Sequence, residues 1–74
     1  MQKIVFILGG ETLQIDSCTI QTPDGVITIL FNHENIYGSG MLMYIMCDGQ
    51  KIIYNQKGTF LLEHNQLHFI PEEK

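Results

Sequence analysis

The sequence contains no alanine, no arginine and no tryptophan, and only four lysines. Alanine is the best helix former, and a chain that lacks it while carrying eleven isoleucines excludes a helical bundle. Without arginine there is no guanidinium fork for bidentate contacts to phosphates or bases. Eight carboxylates against four lysines leave a formal charge of -4, so nucleic acid is not an expected partner. Cysteine is scarce as well. Cys18 and Cys47 are too few for the disulfide framework of a small secreted scaffold, and they read as reduced, buried thiols in a cytoplasmic protein. Long hydrophobic runs are missing. Ile4–Leu8 falls short of the roughly 7–15 apolar residues of a secretory leader, and Met41–Cys47 falls far short of the roughly 18 needed to cross a bilayer. Neither a leader nor a membrane segment is expected. Charged residues are few, at 16%, but 45% of the chain is hydrophobic, which excludes a disordered tail. Seventy-four residues form a single domain, 1–74, because two halves would each be too small to bury a core.

What the chain does contain is strand signals. Its seven glycines fall at the ends of short apolar stretches, the spacing of strands joined by tight turns. Lys3–Leu8 is apolar on both faces, which predicts a central strand or an interface. Gly9 and Gly10 turn it back into Glu11–Asp16, where Leu13 and Ile15 share a face. The change of parity to Cys18 and Ile20 predicts a bulge or short turn near Asp16 and Ser17. Thr22-Pro23-Asp24-Gly25 predicts a hairpin between Cys18–Gln21 and Val26–Phe31. Asn32–Gly40 has no periodicity and reads as a loop. Met41–Cys47 is again apolar on both faces, and Asp48-Gly49 is a hairpin signal that returns the chain as Gln50–Asn55. Gln56-Lys57-Gly58 predicts a turn into Thr59–Glu63, and His64-Asn65 one into Gln66–Ile70. Pro71 ends the pairing and Glu72-Glu73-Lys74 forms a solvated tail. The expected fold is all-β: a small antiparallel meander of six or seven strands forming a compact barrel or two-layer sandwich.

No spacing names a reaction. His33, His64 and His68, taken with the cysteines or Glu34, show no metal-ligand spacing, so no metal is expected. Both cysteines lie in apolar strands that raise a thiol pKa, which argues against a nucleophile. Asp24 and Asp48 are explained by turn hydrogen bonds. Gly38-Ser39-Gly40 lacks the following helix of an anion-binding loop. Neither enzymatic activity nor a cofactor is expected. Two functions then compete. The first is a non-enzymatic protein-interaction module or assembly subunit, including an inhibitor that adds a strand to a partner's sheet. A core this small gains from self-association, so a homo-oligomer is expected, with Met41, Met43 and Met46, or strand one, as interface. The second is a small-molecule-binding oligomer whose 32–40 loop closes over a pocket, with His33, Glu34 and Tyr37 as polar contacts.

Two stretches resemble known families. Gly10-Glu11-Thr12-Leu13-Gln14-Ile15 is similar to the Gly-Glu-Thr-Leu-x-Ile stretch near the start of the carbon storage regulator family of RNA-binding dimers. That family carries basic residues just before the Gly-Glu, where this chain has Ile7 and Leu8. The region from Phe31 through Gly40 and Gly58 to the C-terminus, laid without gaps, resembles the tryptophan RNA-binding attenuation protein family, all-β ring formers of similar length. Phe31 and Lys57 match positions used there for RNA, whereas Ile36 and Asn55 stand where that family has lysine. The second resemblance implies architecture. The RNA-contacting residues of neither family are carried in full, and the chain is assigned to neither.

Overall fold

Tight turns cut the chain into seven strands in the computed structural model, which describes residues 2–72. These are β1 (Ile4–Leu8), β2 (Glu11–Ile15), β3 (Ser17–Thr22), β4 (Gly25–Ile29), β5 (Ile36–Cys47), β6 (Gln50–Glu63) and β7 (Gln66–Pro71). Gly9 and Gly10, Asp48 and Gly49, and His64 and Asn65 all adopt positive φ. Two successive left-handed residues make the hairpin turn whose twist matches that of its strands, so these three reversals fall where the sequence places them. The tail expected at Glu72-Glu73-Lys74 lies, beyond Glu72, outside the described residues.

All seven strands join one sheet in the order β2-β1-β7-β6-β5-β3-β4. The all-β expectation holds, but the antiparallel meander does not. β1 pairs antiparallel with β2 and parallel with β7, with Val5 opposite Gln66 and Leu8 opposite Phe69. Apolar on both faces, β1 belongs in the interior of the sheet, and two hairpin reversals after β5 leave β7 running the same way as β1. The sheet is also open, with β2 and β4 at its ends, which corrects the closed-barrel alternative. It folds over one core. Ile4, Phe6, Ile15, Cys18, Ile20, Ile29, Leu42, Ile45, Phe60, Leu62, Leu67 and Phe69 form a single buried cluster to which every strand contributes, so the two ends of the sheet face each other as two layers.

The fold-over happens within the β5–β6 ribbon. β5 and β6 pair from Ile36 opposite Leu62 to Cys47 opposite Gln50. β3 flanks β5 only from Met41 to Met46, and β7 flanks β6 only from Gly58 to Glu63. The ribbon therefore passes from the layer of β2, β1 and β7 to the layer of β3 and β4 at Gly40, which lies opposite Gly58. A Cβ on Gly40 would come within 2.5 Å of the Gln21 carbonyl oxygen, and one on Gly58 would strike the Ile70 carbonyl and lie 2.8 Å from Phe69 Cζ. These glycines permit close backbone approach inside strands. This corrects the predicted turn at Gln56-Lys57-Gly58 and shortens the predicted 32–40 loop, since β5 starts at Ile36. The irregularity in β6 comes earlier. Tyr54 and Asn55 together oppose Met43, and Asn55 has φ 52°, a β-bulge in place of a turn.

The parity change near Asp16 is a corner between layers, as expected, with Ile15 and Cys18 buried on either side. The Asp16 amide donates to the Met46 carbonyl at 2.7 Å. Its carboxylate accepts from the Lys3 ammonium at 2.7 Å and from the Asp48 amide at 3.0 Å, and Lys3 also reaches Asp48 at 2.9 Å. The corner thus pins β1, β2 and the β5–β6 hairpin together. The hydrogen bond from Lys3 holds the Asp16 carboxyl below its usual range against the opposing effect of burial, and both aspartates raise the lysine above its own.

Two outcomes follow from these contacts. Gly40→Ala and Gly58→Ala are each expected to destabilise the fold by about 3 kcal/mol through overpacking. Gly38→Ala, whose Cβ would meet only Phe60 side-chain atoms at 3.4 Å and beyond, is expected to cost far less. Urea denaturation of the three variants checks the ranking. The depressed Asp16 pKa contributes stability above the unfolded value of about 3.9, and this contribution is lost as pH falls through the folded value. Asp16→Asn should therefore unfold at a lower temperature than wild type at pH 7, and the two should converge in acid, as read by thermal melts across pH.

Candidate functional site

Cross-strand register gives the two outer faces different chemistry. On the layer of β2, β1 and β7, Thr12 lies opposite Ile7, Ile7 opposite His68, His68 opposite Leu61 and Leu61 opposite Tyr37. Val5 and Ile70 flank this row on the same face, because side chains two residues apart on a strand point the same way. Val5, Ile7 and His68 are half-buried, whereas Leu61, Ile70 and Tyr37 are 41%, 66% and 82% exposed. The row is therefore open to solvent and mostly apolar, with His68 between Ile7 and Leu61. In sequence these residues read as ordinary strand alternation, and nothing there brings β1 beside β7.

The other layer carries the methionines. Met41 lies opposite Lys57, Tyr44 opposite Ile53 and Met46 opposite Lys51, all on the outer face. Met43 sits at the bulge between them. All three methionines are half-buried, so the strand expected as an interface is partly covered by its own neighbours. The Lys51 ammonium stands 4.3 Å from the centre of the Tyr44 ring. Among the described residues, Gln50–Lys57 of β6 pairs with β5 on one side and with no strand on the other.

The residues expected to contact a ligand occupy separate places. His33 is half-buried in the loop before β5. Its amide donates to the Leu30 carbonyl at 3.1 Å and its Nδ1 lies 2.8 Å from the Glu34 carbonyl oxygen. Glu34 is exposed, and Tyr37 stands outside on β5. The loop is fastened to the β6–β7 turn. The Asn32 amide donates to Asn65 Oδ1 at 2.6 Å, and the His64 amide to Asn35 Oδ1 at 3.1 Å. None of the three lines the two larger clefts. One cleft, of about 360 Å³, lies at the Gly40–Gly58 crossing between the Gln21–Pro23 turn and Glu72, with Ser39, Met41 and Lys57 in its lining. A second, of about 390 Å³, adjoins it and shares Met41, Lys57 and Glu72.

Among the described residues, no three His, Cys, Asp or Glu side chains gather closely enough to hold a metal ion. Both cysteines are free thiols. Burial pushes Cys18 up to about 12. Cys47 is half-buried, and its Sγ donates to the Gln14 carbonyl at 3.4 Å. A thiol reagent at pH 8 is accordingly expected to leave Cys18 unmodified in the native protein and to titrate both thiols in urea, with Cys47→Ser showing no fast native reaction.

No protein-family model and no curated protein matches the chain. Among solved structures it is similar to a chain of the Euglena gracilis mitochondrial ATP synthase, seen in the cryo-EM structure of OSCP/F1/c-ring in rotational state 1. The TM-score is 0.82 at 19% sequence identity. The likeness covers 99% of this chain and 52% of that one, so this chain spans about half the length of its neighbour. At that identity the likeness is one of fold, a small all-β sheet that also occurs within a chain of a multi-subunit assembly.

Proposed function

We propose that this protein is a non-enzymatic interaction module, an assembly subunit that works as a homo-oligomer. The observation that carries the reading is the largely apolar, solvent-open row on the outer face of the first layer. Monomers rarely leave such a stripe open, and Leu61, Ile70 and Tyr37 share the outer face with Val5 and Ile7 of strand one, across His68 of β7. A second copy is its occupant, because a core of twelve apolar side chains in a chain this short gains stability from burying a further face. Met41, Met43 and Met46 form the adaptable part of the opposite face and serve a second contact. The occurrence of the same fold within an ATP synthase chain supports an assembly role by analogy. A reducing, cytoplasmic setting agrees with two free thiols.

A second reading, a small-molecule binder, is favoured by the cleft of about 360 Å³ at the glycine crossing, where Lys57 supplies a cation and Ser39 a hydroxyl. His33, Glu34 and Tyr37 would then act at the rim of a site shared between subunits.

Sedimentation of the purified chain at micromolar concentration decides between assembly and monomer. The wild type is expected to sediment as an oligomer, and Leu61→Glu combined with Ile70→Glu as a monomer with unchanged circular dichroism. A monomeric wild type would overturn the proposal.

A further inference from the structure

The geometry points to a second interaction site, resting on the same reading of the protein as an interaction module. The free edge of β6 from Gln50 to Tyr54 accepts an added strand from a partner protein, and that strand carries a carboxylate two residues from an apolar side chain.

Three observations lead there. The first is the backbone. On the side of β6 away from β5, Gln50–Tyr54 has no strand hydrogen-bonded to it among the described residues, although Tyr54 at its end packs against Phe6 of β1, and an unpaired row of amides and carbonyls is a template for strand addition. The bulge at Tyr54 and Asn55 ends the regular stretch, which fixes its length. The second is exposure. Ile52 is 39% and Ile53 65% exposed on opposite faces of this strand, so a strand laid alongside would cover apolar surface on both faces. The third is charge. From Gln50 to Leu62 the chain has two lysines and no aspartate or glutamate, although the whole molecule is at -4.

Position turns these features into a pattern. Lys51 and Ile53 are two residues apart and share the outer face. The Tyr44 ring, 4.3 Å from the Lys51 ammonium, holds that charge on the same face. Cross-strand neighbours on one face interact directly, so the incoming strand places an acid against Lys51 and an aliphatic side chain against Ile53. Pairing this edge with its own copy would instead bring two Lys51 side chains onto one face. The partner is therefore an acidic, extended segment of another protein, and the interaction is strand addition with selection by charge.

The test uses the ¹⁵N-labelled full chain and two synthetic peptides. One is acetyl-Thr-Val-Thr-Glu-Thr-Val-Thr-amide, which presents the pattern in either direction, and the other has Lys in place of Glu. The glutamate peptide is expected to shift the amides of Gln50–Tyr54 saturably. The lysine peptide should bind about tenfold more weakly, because an attractive cross-strand pair becomes repulsive. In Lys51→Glu, an exposed substitution, the preference should reverse. Absence of shifts at these amides, equal affinity for both peptides, or an unchanged preference in Lys51→Glu would each overturn the proposal. Sedimentation of the wild type reads the assembly function separately, so a chain that self-associates yet ignores the peptides sinks the edge site alone.

Discussion

The architecture depends on one close approach, the crossing of Gly40 and Gly58 in the β5–β6 ribbon. Each glycine brings its backbone against the carbonyl of a neighbouring strand, Gln21 on one side and Ile70 on the other, at a separation that no Cβ permits. Because the ribbon can pass there from one layer to the next, a single open sheet encloses a core that would otherwise need two sheets. Phe60 and Leu62 on one side of the crossing and Leu42 and Ile45 on the other enter the same cluster. The Lys3–Asp16–Asp48 corner then fastens the opposite end, where β2 hands the chain over to β3.

Sharing one ribbon between two layers also decides what each surface presents. β5 is flanked by β3 along one half and β6 by β7 along the other, so among the described residues each long strand has half an edge without a paired strand. The first layer offers an apolar row with His68 in its middle. The second offers methionines, two lysines and a bare stretch of β6. Arginine is absent, Lys3 is taken up by the Asp16 and Asp48 carboxylates, and Lys51 and Lys57 stand on β6, so the two outer faces differ in chemistry by simple placement.

Local signals were the readable part of the sequence. Gly9-Gly10, Asp48-Gly49 and His64-Asn65 carry their own turn preference, and the odd-to-even shift across Asp16 marks a corner because buried side chains must face one core. Gly40 and Gly58 misled for a physical reason. A glycine that permits a turn and one that permits close packing look the same in sequence, and only the positions of β3 and β7 tell them apart. The β1–β7 pairing joins segments at opposite ends of the chain and leaves no local trace. The candidate surfaces follow the same division. That Met41–Cys47 is a strand was readable, whereas the row from Ile7 through His68 to Leu61, and the bare edge of β6, depend on which strands become neighbours.

The parallel pairing of β1 with β7 bears on the order in which the molecule can form. The β1–β2 hairpin closes locally and early, since tight hairpins form within microseconds. Its inner strand, apolar on both faces, still lacks its second neighbour until the β6–β7 hairpin has been made. Loop closure over nearly the whole chain must come before that last ladder, which makes folding slow relative to chain length. During synthesis β1 emerges long before β7, so its second edge stays unpaired over that interval, the kind of transient exposure that favours aggregation.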